Sequence, residues 1–374
     1  MIASGSIWQR FDYLLFGVSL LLILFGILMI GSATQDAIDP TLIARVPDQI
    51  RFALLGLMLM AGLSLLDYRL LAGLHLWLYL LMLSLLVMVF YFGVEGVAGA
   101  QRWINIGIRI QPSEVAKLLI IITLGHFLAR RYQRIGHLPN IVLSLLHIGL
   151  PAALILIQPD LGMVTVLMAI WFTMVWGAGL PLRYLVTFML ILSLLGGVVL
   201  LQAFGVIEGP LEGYQVQRIS LFIDPTSDED AYFNINQALI SVGSGGLLGK
   251  GYLVGTQNKG RFLRVRHTDF IFSVIAEEFG FIGSLVTLGL IGIVLMRILR
   301  GARLAVDAFG SLLCYGVAAF IFFQTVTSIG MNLALMPVTG LTLPFISSGG
   351  TSLLSTMAGI GLTQSVIARR RRVS

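Results

Sequence analysis

Ten predominantly apolar stretches, most of them close to twenty residues long, leave this chain few places to fold other than a lipid bilayer. The hydrocarbon core of a bilayer is about 30 Å thick and is crossed by roughly 20 residues of helix. It offers no water to backbone N–H and C=O groups, so each stretch must close its own hydrogen bonds as a helix. The intervals are 12–33, 51–67, 70–93, 112–130, 138–157, 161–180, 182–205, 269–297, 305–336 and 344–367. Only Asp67, Tyr68 and Arg69 separate the second from the third, and Gln158, Pro159 and Asp160 join the fifth to the sixth. The chain reads as an all-α integral membrane protein with about ten transmembrane helices, a single polytopic domain over 1–374. Composition agrees: 11% of the 374 residues are charged, against about 25% in a soluble domain.

Arginine placement predicts the orientation. With the N-terminus inside, the short inner connections hold Arg10, Arg69, Arg130, Arg131, Arg134, Arg183, Arg297, Arg300, Arg303 and the arginines at 369–372. The short outer loops hold Arg45, Arg51, Arg102 and Arg109, a count of thirteen against four. The positive-inside rule then puts both termini in the cytoplasm. The pI of 9.7 does not point to nucleic acid, because the basic residues lie between apolar runs and form no continuous stripe. Cys314 is the single cysteine, which excludes a disulfide framework. The first apolar run is too long for a signal peptide and lacks a small-residue cleavage site, so it is expected to be retained.

The connection 206–268 between the seventh and eighth spans falls outside on this orientation. Its length implies function or disorder, and apolar stretches within its Gly-rich, charged sequence predict a folded lid. Four polar clusters map to the same side, where polar residues in or beside spans are costly and therefore informative. In Gln111-Pro112-Ser113-Glu114-Val115-Ala116-Lys117, Pro112 suits a first helical position and Glu114 and Lys117 share a face at i, i+3. They form either a helix-start acid with an outward-reaching lysine or a functional ion pair. In Gln158-Pro159-Asp160-Leu161-Gly162, Asp160 suits a helix cap.

The third cluster, from Gly243 to Gly251, lacks the Walker pattern, since Ser244 and Gly251 stand where Gly and Ser/Thr would be needed. Its backbone N–H groups beside Lys250 remain a candidate anion cradle. The fourth runs Arg261-Phe262-Leu263-Arg264-Val265-Arg266-His267-Thr268-Asp269-Phe270. A cap by Thr268 accounts for the aspartate but not for the arginines; a basic funnel ending in one carboxylate suits a phosphorylated substrate and a proton-accepting step. Glu277 and Glu278 are more than ~10 Å further along a helix, too far to share that step. His75, His126, His137 and His147 have no metal-ligand spacing.

At these clusters the sequence resembles the SEDS family (shape, elongation, division and sporulation), in its RodA branch. The resemblance runs over nearly the whole chain. Besides Gln111 to Lys117 and Gln158 to Gly162, it rests on Tyr214-Gln215 with Arg218, Asp224-Pro225, the Gly-rich stretch to Gly251, and Gly255-Thr256-Gln257. It continues through His267-Thr268-Asp269-Phe270-Ile271, Glu277-Glu278 and Ser347-Ser348-Gly349-Gly350-Thr351-Ser352. Two positions depart from the pattern. Arg264 and Val265 stand where the family has Pro-Glu before His-Thr-Asp, making this funnel more basic, and Ser328 replaces a frequent Asn.

The resemblance implies a peptidoglycan glycosyltransferase that polymerises lipid II on the outer face of the plasma membrane during cell elongation and releases undecaprenyl pyrophosphate. It implies Asp269 as the catalytic carboxylate, supported by Glu114 and Lys117. Expected substrate contacts are Arg102, Ser113, Asp160, Tyr214, Arg218, Lys250, Arg266, His267, Thr268 and Ser348. Implied partners are a class B penicillin-binding protein, whose transpeptidase crosslinks the glycan, and the elongation machinery. A divalent cation such as Mg or Mn on the pyrophosphate is compatible with the chemistry, though no ligand set is visible. The rival reading is a lipid II flippase or transporter, which predicts polar residues through the whole membrane depth on both sides. A pure scaffold would not need Glu114 and Lys117 inside the membrane.

Overall fold

A computed structural model describes residues 7–35, 39–95, 101–105, 107, 109–204, 206–207, 220–224, 229–260 and 265–370. A helix occupies each of the ten apolar intervals: α1 Tyr13–Ala33, α2 Arg45–Leu65, α3 His75–Phe92, α4 Pro112–Ala129, α5 Leu138–Ile157, α6 Leu161–Gly177, α7 Leu182–Ala203, α8 Ile271–Leu304, α9 Ala308–Asn332 and α10 Gly350–Ala368. Among the described residues seven of these, α1 to α5 with α8 and α9, are long and apolar enough to cross a membrane, and α6 is a shorter apolar helix. The chain is a multi-pass helical membrane protein.

Several expected boundaries shift for local reasons. The third interval divides into Tyr68–Gly73 and α3, the first piece capped by Asp67, whose side chain accepts from the Arg69 N–H. The ninth helix stops at Asn332 and the tenth starts at Gly350, so 333–349 is an irregular connection between them, buried mainly over 341–348. The all-α architecture carries one small non-helical addition. A small antiparallel sheet closes the 93–110 connection, with β1 Gly93–Glu95, β2 Gln101–Asn105 and β3 Arg109–Ile110 in the order β1-β2-β3. Its register pairs Val94 with Trp103 and Ile104 with Ile110. Strands this short give almost no periodic signal between two apolar runs.

α10 runs through the middle of the bundle, with almost every residue buried. Its small and hydroxylated residues let neighbouring backbones approach closely. Some of its hydroxyls turn back onto their own helix, as Thr356 Oγ1 does on the Ser352 carbonyl at 2.8 Å and Thr363 Oγ1 on the Gly359 carbonyl at 3.0 Å. Polar contacts fasten one end of the bundle. Asp12 caps α1 through the Leu15 N–H and takes Arg297 of α8 at 2.6 Å, while its backbone N–H donates to Gln364 Oε1 of α10 and its carbonyl accepts from Gln364 Nε2. At the same end Asp307 accepts from Tyr68 at 2.8 Å and from Arg69 at 3.0 Å.

The eighth interval is also not one span. α8 has 34 residues and breaks at Gly280, whose φ of 67° and ψ of −162° are non-helical. At ~1.5 Å per residue it would extend about 51 Å, well beyond a hydrocarbon core of about 30 Å. The surplus includes the segment before Gly280, and the turn after helix Glu229–Ser244 is clamped onto the break. The Lys250 and Gly251 N–H groups donate to the Glu277 and Glu278 carbonyls at 3.0 and 2.9 Å, and the Phe281 and Ile282 N–H groups to the Gly246 and Leu247 carbonyls. A side chain at Gly249 or Gly280 would run into the other strand's backbone, and both residues have positive φ.

Candidate functional site

Pro112 occupies the first turn of α4, where an absent N–H leaves no bond unmade. Glu114 and Lys117 then project from one face of the helix. Lys117 Nζ lies 2.5 Å from Glu114 Oε2, and both side chains are buried. Lys117 has no exposed surface, so it does not reach outward to water. Two other helices complete its surroundings. Its ammonium donates to Gln324 Oε1 of α9 at 3.1 Å and sits 4.5 Å over the Phe320 ring, while Ser355 Oγ of α10 donates to Glu114 Oε2 at 3.0 Å. The pair is held on three sides.

Asp160 caps α6 through the Met163 N–H, as its sequence context predicts. Its Oδ2 accepts from Gln111 Nε2 at 2.9 Å and from Ser113 Oγ at 3.4 Å, which ties the second cluster to the first. Arg102, carried by β2, approaches Asp160 Oδ1 to 4.0 Å and donates to the Gln158 and Pro159 carbonyls. The sheet missing from the sequence reading is therefore what holds Arg102 over this turn. Burial pushes the Asp160 carboxyl up from its ordinary range, against the pull of Arg102 and the Met163 N–H.

The connection 333–349 bridges from this turn to Asp269. Gly162 leaves no room for a side chain against the Thr339 carbonyl, and Gly340 lies beside Asp269 Oδ2. Asp269 does not sit at a capped helix start. α8 begins at Ile271 with no side-chain cap, and Thr268 Oγ1 bonds the Val265 carbonyl instead, which removes the capping explanation for these residues. The turn is fixed from outside. Asn332 Nδ2 donates to the Asp269 carbonyl at 2.8 Å, and Asn332 Oδ1 accepts from the Ser273 hydroxyl and N–H. Ser347 Oγ donates to the Thr268 carbonyl, and the Ser348 N–H to the His267 carbonyl at 2.9 Å. Arg266 reaches across to the Ala33 carbonyl.

The mouth is electropositive. Burial, then the charges of Arg45 and Arg266, push the His267 imidazole down to about 4, so it is neutral near pH 7. Arg45 Nε is buried with no hydrogen-bond partner among the described residues. Here lies a residue the sequence reading assigned only to an outer loop; Gln324, Phe320, Ser355 and Asn332 are others it passed over. Gln324 and Asn332 were detectable as amide side chains within an apolar run.

Lys250 corrects an expectation. Its ammonium contacts Glu277 Oε1 at 2.8 Å together with Ser244 and Thr256, and its N–H is spent on the Glu277 carbonyl. The 243–251 stretch thus folds as a clamp on α8, not as an open anion cradle. Glu278 is engaged separately by Ser32 of α1. Tyr214 and Arg218, like Arg261 and Arg264, lie outside the described residues. Among the described residues no three His, Cys, Asp or Glu side chains are placed to hold a metal ion. His75 stacks on His126 at 4.1 Å and His147 on Tyr79 at 4.4 Å, as packing groups.

The geometry is that of a polytopic helical membrane protein with a buried Glu–Lys pair beside a basic mouth that carries one aspartate. The model of the cell cycle protein family of FtsW, RodA and SpoVE matches residues 12–372, and the chain belongs to that family. It is 36% identical over 362 residues to the peptidoglycan glycosyltransferase MrdB of Escherichia coli K12, covering 96% of this chain and 93% of that protein. It is 31% identical to the peptidoglycan glycosyltransferase RodA of Treponema pallidum, covering 96% and 98%. The structure is similar to a chain from a study of how a peptidoglycan synthase complex coordinates polymerization and crosslinking, with a TM-score of 0.81 at 32% identity over 97% of this chain and 99% of that one. It is also similar to the Thermus thermophilus rod shape determining protein RodA, with a TM-score of 0.71 at 32% identity over 98% and 99%.

Proposed function

We propose that this protein is a peptidoglycan glycosyltransferase that polymerises lipid II at the outer face of the plasma membrane. The observation that carries the reading is the convergence of four sequence-distant segments, around Glu114, Asp160, Asp269 and Ser347, on one end of the bundle. In the reaction an acceptor sugar hydroxyl attacks an anomeric carbon, a glycosidic C–O bond forms, and the bond to the lipid pyrophosphate breaks. Asp269 takes the hydroxyl proton as general base. Arg45 and Arg266, with Arg218 from the rest of the loop, balance charge on the departing pyrophosphate. Neutral His267 leaves that role to the arginines. Glu114 and Lys117 act behind the turn at Asp160 as a positioning pair, and Arg102, Ser113, Thr268 and Ser348 shape the substrate cleft.

The reading extends to the 206–268 connection as a lid over the mouth, supported by the clamp of its described part on α8. It extends also to a transpeptidase of the penicillin-binding class as the partner that crosslinks the product. Purified protein should convert lipid II to glycan strands, faster with that partner present. Asp269→Asn should lower the rate by at least ~10²-fold without shifting the thermal midpoint. Polymerisation by Asp269→Asn at the wild-type rate removes the base assignment. Translocation of lipid II between leaflets without any polymer from the wild type favours the flippase instead.

A further inference from the structure

The opposite end of the bundle carries a feature that glycan chemistry does not use. The turn 130–137 between α4 and α5 sets Arg130, Arg131, Arg134 and His137 around an open basin of about 840 Å³, floored by Ala308 at the start of α9. Among the described residues no carboxylate pairs with any of these arginines. Asp307, next to Ala308, is already committed to Arg69, Tyr68 and the Gly310 N–H. The Arg131 guanidinium lies 4.0 Å from the centre of the Phe127 ring.

Leu138, the residue after His137, opens a second cavity. It is an apolar groove of about 180 Å³ between α5, α6 and α7, with Ile141, Val142, Leu145, Phe172 and Tyr184 along its walls. Basin and groove adjoin at the start of α5, where Pro139 and Asn140 line the basin and Leu138 and Ile141 the groove. The Arg183 guanidinium lies 4.9 Å over the ring of Tyr184, one of the groove's lining residues. Val142 and Leu138 are exposed, so the groove is open to lipid.

We infer that this pair of cavities is a binding site for an anionic glycerophospholipid, the phosphate headgroup in the basin and an acyl chain along the groove. The unpaired guanidinium cluster is complementary to a phosphodiester. The adjoining apolar groove is what selects a lipid over a free phosphate. The site requires only that the bundle sit in a bilayer and is independent of the glycosyltransferase reading.

The test is native mass spectrometry of the full chain released from nanodiscs of phosphatidylcholine mixed with phosphatidylglycerol. Phosphatidylglycerol should be retained preferentially. A triple Arg130→Gln, Arg131→Gln, Arg134→Gln variant should weaken that retention on the order of 100-fold, at about fivefold per basic side chain. These arginines also bear on membrane orientation, so a second variant leaves them in place. Val142→Trp fills the groove and should lose phosphatidylglycerol while still binding soluble glycerol phosphate as wild type does. Equal retention of the two phospholipids by the wild type overturns the inference, as does unchanged retention in both variants. Full displacement by inorganic phosphate makes the basin a free-anion site, and preference for a polyprenyl pyrophosphate makes it a substrate-lipid site; either result also overturns it.

Discussion

Lys117 is enclosed by Glu114, Gln324 and the Phe320 ring, with no exposed surface. A buried ion pair contributes little net stability when intact, but removing one partner strands the other charge at a cost of about 3–5 kcal/mol. Glu114→Gln and Lys117→Met should therefore each lower the thermal midpoint and impair polymerisation, and the double variant should be more stable than either single one. Additive losses in a double-mutant cycle would show two independent residues. His267 yields a pH signature. Its imidazole is depressed from 6.5 to about 4, so between those values the unfolded chain binds the extra proton. The contribution is fully present above about pH 6.5 and is lost progressively as pH falls toward 4, amounting to about 3 kcal/mol. Thermal midpoints measured across this window should fall with acidification more steeply in wild type than in His267→Gln. Parallel profiles would remove His267 from the account.

At the scale of elements, the break in α8 connects the long loop to the bundle. The clamp uses backbone bonds on both sides of Gly280 and a lysine that neutralises a fully buried Glu277. Gly280→Ala meets a positive φ and the backbone of Gly249 and Leu247 together. It should destabilise by at least ~1–3 kcal/mol and render 245–260 sensitive to protease in the folded protein. Gly289→Ala, in the same helix with open space around it, should change neither property. Cleavage at the same rate in both variants would mean that the clamp does not restrain the loop. The small sheet plays a parallel role for Arg102, because three short strands convert the 93–110 connection into a support for a side chain over the Asp160 turn.

The whole molecule has two chemically different ends. One joins Asp160, Asp269, Arg45 and Arg266; the other carries Arg130, Arg131, Arg134, Arg297 and Arg369 with a few carboxylates that are mostly paired. The arginine asymmetry predicts that the second end is cytoplasmic. Cys314 is fully buried, so cysteines introduced singly give a clean readout. A membrane-impermeant maleimide should label Asn105→Cys in intact cells and Tyr132→Cys only after permeabilisation. The reverse pattern would invert the proposed orientation and move Asp269 to the wrong compartment for an extracytoplasmic polymerase.

The helices in the apolar intervals were legible because runs of about twenty apolar residues suit the thickness of a bilayer and its demand for an internally satisfied backbone. The Glu114–Lys117 pair was legible for a related reason: i, i+3 neighbours on one helix meet whatever surrounds them. Asp160 as a cap followed from local geometry in the same way. Tertiary structure alone decided that Gln324, Phe320 and Ser355 enclose that pair, that β2 brings Arg102 to Asp160, and that Asn332 and Ser347 pin the turn around Asp269. It also decided the fate of Lys250, which flexible glycines made look like an anion site until its partner Glu277, 27 residues away, was in place. Hydrophobic thickness and helical period act within one segment and so can be read along the chain. Contacts between segments depend on how the helices pack against one another, which no local pattern encodes.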